Sequence, residues 1–485
     1  MDEPSDMPLP LPEFLPSAPS AWVDEPARKV GVLAECDVAV FGGGPAGVCA
    51  AAAAARAGQS VVLVERYGFL GGMATAANVN GWDSLYGMDR ATRIIGGLPL
   101  EVIRRLQHRG AARNLADDGE TGQWIIESET TKLVYDDLVI ASGAKLLLHT
   151  WLAGVLVEQG RVTAALVESK SGRHAIRARV FIDCTGDADV VRRAGLPTQH
   201  GDGQGHCQPP TLCFRLGGVT TPRTPMPDIQ ADLSGRAMDY NGETYPCQLW
   251  GRPSVFDPTE WMIAGTRVLG IDAADVRSFT RGEIESRYQM RWVLKHLRTV
   301  PGFREAWLVD IATQLGVRET HRIEADLQVS RRDILQGRAF DDAIAQGTWP
   351  IDIHNPRGGG TRLEYLDGTV KTIEPDGSRS LGRWDGAEPD APRRETLCWQ
   401  VPYRALIPRG LENVLAAGRC IGADHEAAGA IRVMINAMQF GQAAGVAAAL
   451  APASGEVRAV DPRRLVETLR GEGVPLNPVS STRGR

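Results

Sequence analysis

Residues 36–65 read CDVAVFGGGPAGVCAAAAAARAGQSVVLVE, and this stretch decides the fold class. Cys36 to Phe41 is a short, valine-containing apolar run that stops at Gly42, as a buried strand does at a turn. The alanine-rich segment that follows is a strong helix former and ends at Gly58. Ser60 to Glu65 is again an apolar strand, closed by an acid. Strand, helix and strand within about 30 residues make a βαβ unit. Its first turn carries Gly42-x-Gly44-x-x-Gly47, with Pro45 and Ala46 opening the helix. Gly42 permits the tight turn, Gly44 lets a pyrophosphate approach the backbone, and Gly47 lets the helix pack close on the strand. The helix N-terminus adds free N–H groups and partial positive charge. Glu65 stands 18 residues beyond Gly47, where an acid can accept hydrogen bonds from an adenosine ribose. The glycine spacing alone is a weak signal; set between strand and helix, with the terminal acid, it predicts dinucleotide binding.

Further along the chain, residues 145–183 alternate strand patterns with turns at Gln159-Gly160 and Ser171-Gly172. They predict an antiparallel meander that returns to a buried strand, Ala178 to Asp183. Residues 205–320 carry Trp250, Trp261, Trp292 and Trp307 with weaker periodicity, and Arg281 to Leu297 within them is an amphipathic helix. This segment is expected to be an inserted α+β substrate or cap domain. Residues 355–395, with Asp367-Gly368 and Asp376-Gly377 turns, are expected to form an exposed excursion or hairpin. From Val401 the pattern returns to strand, glycine turn and long helix. The cofactor domain is thus expected to be discontinuous, over 34–204, 321–354 and 396–455. A Pro-rich arm over 1–33 and a C-terminal tail over 456–485 flank it.

The 485 residues include 53 Lys plus Arg against 59 Asp plus Glu, a net charge of −6 with both signs dispersed. That leaves no electrostatic footprint for nucleic acid. None of the eight cysteines is spaced C-x-x-C, which argues against a zinc ribbon or a redox dithiol, and no metal site is expected. Without a secretory pattern at the start, the cysteines read as buried thiols of a cytoplasmic protein. Two charge-free stretches, Val38 to Ala55 and Val433 to Gly455, reach membrane-spanning length. The first changes structure at its glycines and Pro45; the second holds Asn436, Gln439, Gln442 and many small residues suited to close helix packing. Neither is read as a membrane span.

Four segments together carry a resemblance. They are residues 36–75, ending in RYGFLGGMAT; 178–195, ARVFIDCTGDADVVRRAG; 316–354, from GVRETHRIEADLQVS to TWPIDIH; and 401–451, from VPYRALIPRG through NVLAAGRCIGADHEAAGAIRVMINAMQF. With them the chain resembles the FAD-binding flavoproteins with two dinucleotide-binding domains. More narrowly, it resembles a bacterial FAD-dependent oxidoreductase family to which the label xanthan lyase-associated is loosely attached. The resemblance implies an α/β fold with a Rossmann-like FAD-binding domain, its sheet of the glutathione-reductase type with an antiparallel meander. It also implies FAD in extended form, with Glu65 and Arg66 toward the adenosine and Gly71, Gly72 and Met73 beside the pyrophosphate and ribityl chain. Thr185, Gly186 and Asp187 would approach in the TGD turn, and Gly418 and Arg419 at a late strand end. In the wider superfamily an Asp stands where Arg419 does; the narrower family has this Arg, and which group holds the ribityl chain stays open. Asp187 is either a flavin-side acid or the N-cap of a helix over 188–194. Ile431 would open a helix over 431–450 whose N-terminus points at the flavin pyrimidine edge.

The candidate catalytic residues are His425, Arg318, His321 and His354. His425 supplies the turn into the last long helix. On a strand, Arg318 and Arg322 would share one face, with Glu319 and His321 on the other. These four make either an anion-holding or proton-transfer pair near the substrate or a buried ion-pair network between domains. Trp250 and Trp261 line a pocket or fill a core. No second GxGxxG occurs, so a dedicated nicotinamide domain is not expected. The expected activity is that of a dehydrogenase or oxidase taking a hydride from a small organic substrate to flavin N5, with oxygen or another electron acceptor. The alternative is a monooxygenase or halogenase-like enzyme using external reduced nicotinamide. Oligomeric state is open, a homodimer being common at this size.

Overall fold

A computed structural model describes residues 21–118, 122–221, 226–233, 235–246, 249–384 and 396–479. β1 (Gly31–Phe41), α1 (Pro45–Arg56) and β2 (Val61–Val64) form a parallel unit, with Val38 to Phe41 in register with Val61 to Val64. β1 takes in residues 31–33, which the sequence assigned to the arm; residues 1–20 of that arm lie outside the described residues. The strand Gly172–Asp183 runs parallel along the other edge of β1. Its own far edge is divided between two partners. Its first residues pair with the antiparallel strand Arg161–Ser169, itself paired with Trp151–Glu158, and its last three pair with the parallel strand Val414–Ala416. Lys145–Leu147 lies beside β2 and closes a seven-stranded mixed sheet.

Alternation explains why these central strands are apolar at every position. Val38, Val40, Val61, Leu63, Val180 and Ile182 face the core that holds α1 and the last long helix. Ala39, Phe41, Val62, Val64 and Phe181 face a second core with Val162, Ala165 and Val167 of the meander. Both faces are covered, so neither set of side chains can be polar.

The expected helix over 431–450 is two helices, His425–Ile431 and Met434–Leu450, turned by 93°. Val433 is extended (φ −69°, ψ 155°), which breaks the helical hydrogen-bond ladder there. Met434–Leu450 is buried on nearly every side because it lies against α1. Gly441 and Gly445 make that approach possible: a Cβ on either would stand 2.0 Å from the Ala46 carbonyl oxygen or 2.3 Å from that of Ala50. Among the described residues no single helix is long and apolar enough to cross a membrane.

Residues 205–320 contribute a separate antiparallel sheet, in the order Trp250–Pro253, Trp261–Ala264, Cys213–Gly217 and Trp307–Ile311. The helix Val276–Leu297 packs on it through Trp292, Val293 and Leu297. It starts five residues earlier than its apolar period suggests, because the Asp275 side chain accepts from the Arg277 and Ser278 N–H groups.

Two segments depart from expectation. Of the two forms expected for 355–395, an exposed excursion or a hairpin, the described part takes the hairpin form, and it is not simply exposed. With Ile351–His354 its strands Thr361–Glu364, Thr369–Ile373 and Arg379–Arg383 form a four-stranded sheet, burying Leu366, Val370 and Ile373; residues 385–395 lie outside the described residues. Nor is 456–485 a tail as far as 479. Asp461 caps the helix Pro462–Gly471, whose Leu465, Val466 and Leu469 join the main core with Val474 and Leu476. The spacing i, i+1, i+4 after an Asp-Pro start is the signal that a reading by composition passes over. Residues 480–485 lie outside the described residues.

Candidate functional site

A cavity of about 1030 Å³ opens between the sheet ends, the 205–320 sheet and the 351–383 sheet. That is the upper end of the range for small-molecule pockets. One wall is the dinucleotide turn: Gly42, Gly44, Pro45 and Ala46, with Glu65, Arg66, Gly72, Met73, Thr185, Gly186, Gly418 and Arg419 around it. Another wall is apolar, with Trp250, Met262, Leu363 and Leu366. A third is polar and holds Arg318 and His354 together with Arg267, Asp352 and Arg432.

The three glycines of the turn do different work. Gly42 has φ +97°, and a Cβ on it would lie 2.3 Å from the Cys184 carbonyl oxygen. A Cβ on Gly47 would lie 1.7 Å from the Gly42 oxygen, so this glycine sets the contact of helix and strand rather than lining the cavity. At Gly44 the nearest atom to such a Cβ is Gly72 Cα, 3.8 Å away: the space in front of it is open to the cavity. Gly44 is also the N-cap of α1 and no side chain caps the helix. An uncapped helix start behind an open glycine fits a phosphate group. Glu65, buried and with its carboxyl raised by that burial, accepts from Gly43 N–H at 2.5 Å and Tyr67 N–H at 2.8 Å. It therefore braces the turn while keeping acceptor capacity for a ribose hydroxyl. Arg66 lines the cavity over the rings of Tyr67 and Trp151. Gly71 is not on the wall; its N–H donates to the Gly43 oxygen at 2.8 Å and holds the Gly72 loop against the turn.

Asp187 does not cap the following helix. The first N–H groups of that helix, Asp189–Arg193, donate elsewhere: Asp189 N–H to the Thr185 hydroxyl at 3.0 Å and Val190 N–H to the Asp183 carboxylate at 2.8 Å. Asp187 instead pairs with Arg419 at 2.6 Å and accepts from the Thr320 hydroxyl. Arg419 also donates to the Gly186 and Val317 carbonyls, so it ties three loops together at the cavity edge. Ile431 is buried in the main core and the wall position falls to Arg432, Val433 and Met434.

The four candidate catalytic residues separate into two groups. Strand pairing begins only at His321, so the expected alternation of 318–322 does not hold, and Arg322 reaches Glu319 instead of sharing a face with Arg318. Glu319 also accepts from His425 Nδ1 at 2.9 Å. Burial alone would raise the Glu319 carboxyl; His425 and Arg322 hold it below its usual range. His425, Glu319 and Arg322 are thus a buried ion-pair network away from the cavity wall. His321 is also off the wall, stacked on His200 and bonded through Nδ1 to the Thr198 hydroxyl. Burial pushes it down to about 4, with Arg192 and His200 adding to the effect, so it is neutral near pH 7. Arg318 and His354 do face the cavity. Burial drives His354 well below its usual range; its Nε2 is 3.3 Å from Asp352 and its Nδ1 is 3.2 Å from the Thr361 hydroxyl. Trp250 lines the cavity and Trp261 fills a core.

Sequence reasoning missed Asp83, Arg267, Asp352 and Arg432. Asp83 is buried on the cavity wall; Ser84 N–H donates to its Oδ1 at 2.7 Å, and Oδ2 has no hydrogen-bond partner. Burial pushes this carboxyl up to about 7, against the opposing pull of nearby N–H groups. Arg267 and Arg432 were detectable as the lone charges between Glu260 and Asp272 and between Glu426 and Leu450. Asp83 has no such mark.

The fold and this site define an α/β dinucleotide-binding protein with a large cavity against the binding turn. The profile of the FAD dependent oxidoreductase family matches residues 37–469, and the chain belongs to that family. The chain is 30% identical over 167 residues to the digeranylgeranylglycerophospholipid reductase of Methanoculleus marisnigri, covering 33% of this chain and 42% of that one. It is 28% identical over 166 residues to the thiamine thiazole synthase of Methanococcus aeolicus, covering 32% and 57%. The matches therefore span only about two fifths to three fifths of those relatives' lengths. A geranylgeranyl bacteriochlorophyll reductase-like structure from Thermoplasma acidophilum superposes with a TM-score of 0.42 at 13% identity, covering 90% of this chain and 82% of that one. A flavin-dependent brominase superposes with a TM-score of 0.42 at 13% identity, covering 90% and 83%.

Proposed function

We propose that this chain oxidises a small organic molecule at a C–O, C–N or C–C bond, with oxygen or another acceptor completing the cycle. The observation that carries the reading is the continuity of one cavity from the Gly42 turn to a wall with a carboxyl poised for proton transfer, Asp83. Gly42, Gly44, Gly72, Met73, Thr185, Gly186 and Gly418, which line the cavity, would hold FAD, whose chemistry when bound is acceptance of a hydride at N5. The apolar wall of Trp250, Met262, Leu363 and Leu366 excludes water from the reacting carbon. The sheets formed by residues 205–320 and 351–383 act as the cover over the substrate. Oxidation at a carbon bearing O–H or N–H also releases a proton, and Asp83 Oδ2 accepts it. A base with a pKa near the working pH suits that task.

Asp83→Asn is expected to lower kcat by about 10²–10⁴-fold, the usual range for loss of a general base. In the unaltered protein kcat/KM should rise with pH through about 7, as Asp83 ionises. The stability effect has the opposite sign. Raising the folded-state pKa favours the protonated fold, so stability is fully present below the ordinary carboxyl range and lost as pH rises through about 7. Asp83→Asn should therefore raise the Tm at pH 8 and leave it nearly unchanged at pH 4. A flat pH–rate profile, with kcat unaltered in the variant, would remove Asp83 from this role.

A further inference from the structure

Three guanidinium groups meet on the polar wall of the cavity with a single carboxylate among them. Arg432 donates to Gln208 Oε1 at 3.1 Å and to the Asp352 carbonyl at 3.0 Å, with Asp352 Oδ2 at 3.5 Å. Arg318 donates only to neutral acceptors, the Pro209 carbonyl at 2.6 Å and the Thr211 hydroxyl at 2.9 Å. Arg267, 2% exposed, has the Gly360 carbonyl at 3.4 Å and the Thr361 hydroxyl at 3.3 Å from Nη1, and its Nε has no partner. Among the described residues no carboxylate lies within ion-pair distance of Arg267 or Arg318. The nearby Glu319 is already shared by Arg322 and His425. Burial and the neighbouring Arg318 drive His354, on the same wall, well below its usual range. A buried positive excess of this kind is costly unless an anion completes it.

Two of the three unsatisfied atoms beside the cluster, Arg267 Nε and Gln208 Nε2, are donors; the third, Asp352 Oδ1, is an acceptor with His354 Nε2 3.3 Å away. Gln208 is held in that orientation, since its Oε1 accepts from Arg432 and from His354 N–H at 3.1 Å. Burial, with Arg267 and Arg432 as like-charged neighbours, pushes Arg318 down to about 9. Asp352 responds in the other direction: burial alone would raise it, and His354, Arg432 and Arg318 hold it well below its usual range. Both shifts describe a wall short of negative charge.

We propose that Arg267, Arg318 and Arg432 form an anion subsite for the carboxylate of an organic-acid substrate, presented to the same cavity that holds the cofactor. Planar guanidinium groups match a carboxylate in two-point contact. The apolar wall opposite takes the carbon skeleton. This deepens the proposed oxidation and rests on it for the word substrate; the subsite itself rests on the charge and donor arrangement.

The test is a titration of the FAD-loaded protein with benzoate, malonate, inorganic phosphate and neutral benzamide, read by the flavin difference spectrum and by Tm. A saturable response to benzoate or malonate and none to benzamide is expected. Arg318→Met and Arg267→Met should each weaken it by about 10-fold or more, the size expected for a lost charge-assisted hydrogen bond, with FAD retained. Four results would overturn the proposal: no response to either organic acid, an equal response to benzamide, a response to phosphate alone, or release of FAD by Arg318→Met. The last would assign the cluster to the cofactor. If the variants fail to fold, the titration of the unaltered protein still decides. Failure of the oxidation reading shows elsewhere, as flavin that no organic donor reduces even though carboxylates bind.

Discussion

Gly44→Ala is expected to keep the fold and lose the cofactor, whereas Gly47→Ala, three residues on, is expected to lose the fold. At Gly44 an added methyl meets nothing closer than 3.8 Å in the protein, so the apo-protein should melt within a degree or two of the parent. The same methyl stands in the open space before the uncapped start of α1, where a pyrophosphate must reach backbone N–H groups. Loss of one or two charge-assisted hydrogen bonds there corresponds to FAD binding weakened by about 10- to 100-fold or more. At Gly47 the methyl would sit 1.7 Å from a backbone oxygen and 3.3 Å from Cys184 Cβ, between a helix and a strand with no flexible neighbour to yield. Overpacking of a core costs about 1–3 kcal/mol, and a clash against backbone lies at the upper end or beyond. Apo-protein Tm and FAD titration, done on both variants, separate the two roles. Equal FAD affinity in Gly44→Ala and the parent would move the cofactor phosphate away from this turn.

Gly441→Ala is expected to be nearly as damaging from a position almost 400 residues away in sequence. Its Cβ would lie 2.0 Å from the Ala46 oxygen, so the last long helix must lift off α1 at the turn that begins the cofactor site. A drop in apo-protein Tm together with weaker FAD binding should result, because the two helices cannot part without moving Ala46. Gly471→Ala is the control: nothing lies within 4 Å of its Cβ and it ends an exposed helix turn, so the substitution should be neutral or stabilise by at most about 1 kcal/mol. A Gly441→Ala protein with parental Tm would contradict the close seam between these helices.

The cofactor half of the molecule was legible in the sequence because its signals are local. The Gly42 turn, the strand ended by Glu65 and the meander over 145–183 each complete their pattern within a few tens of residues. Gly441 and Gly445 were visible as small residues suited to helix packing, though not as partners of Ala46 and Ala50. The substrate half was not legible because it is assembled from afar. Arg318 was singled out, but Asp83, Arg267, Asp352 and Arg432 come from four other segments, and only folding brings all five to one cavity. Reading 318–322 as a strand failed for a related reason: a short strand carries too little alternation to show where pairing starts, and it starts at His321. Helix 431–450 was read through its break because an Arg-Val step has no glycine or proline to mark it. His321 and His425 were chosen for residue type, and the structure gives both to contacts away from the cavity wall.

The most direct measurement of the proposed chemistry is the visible flavin band of the FAD-loaded protein under anaerobic conditions. It would be mixed first with a panel of small hydroxy, amino and saturated organic acids, and then, separately, with NADPH alone. Bleaching by an organic acid with no nicotinamide present, slowed in Asp83→Asn, is the expected result. Bleaching by NADPH alone, with every organic donor inert, would contradict substrate oxidation at this site and make external reduced nicotinamide the source of electrons.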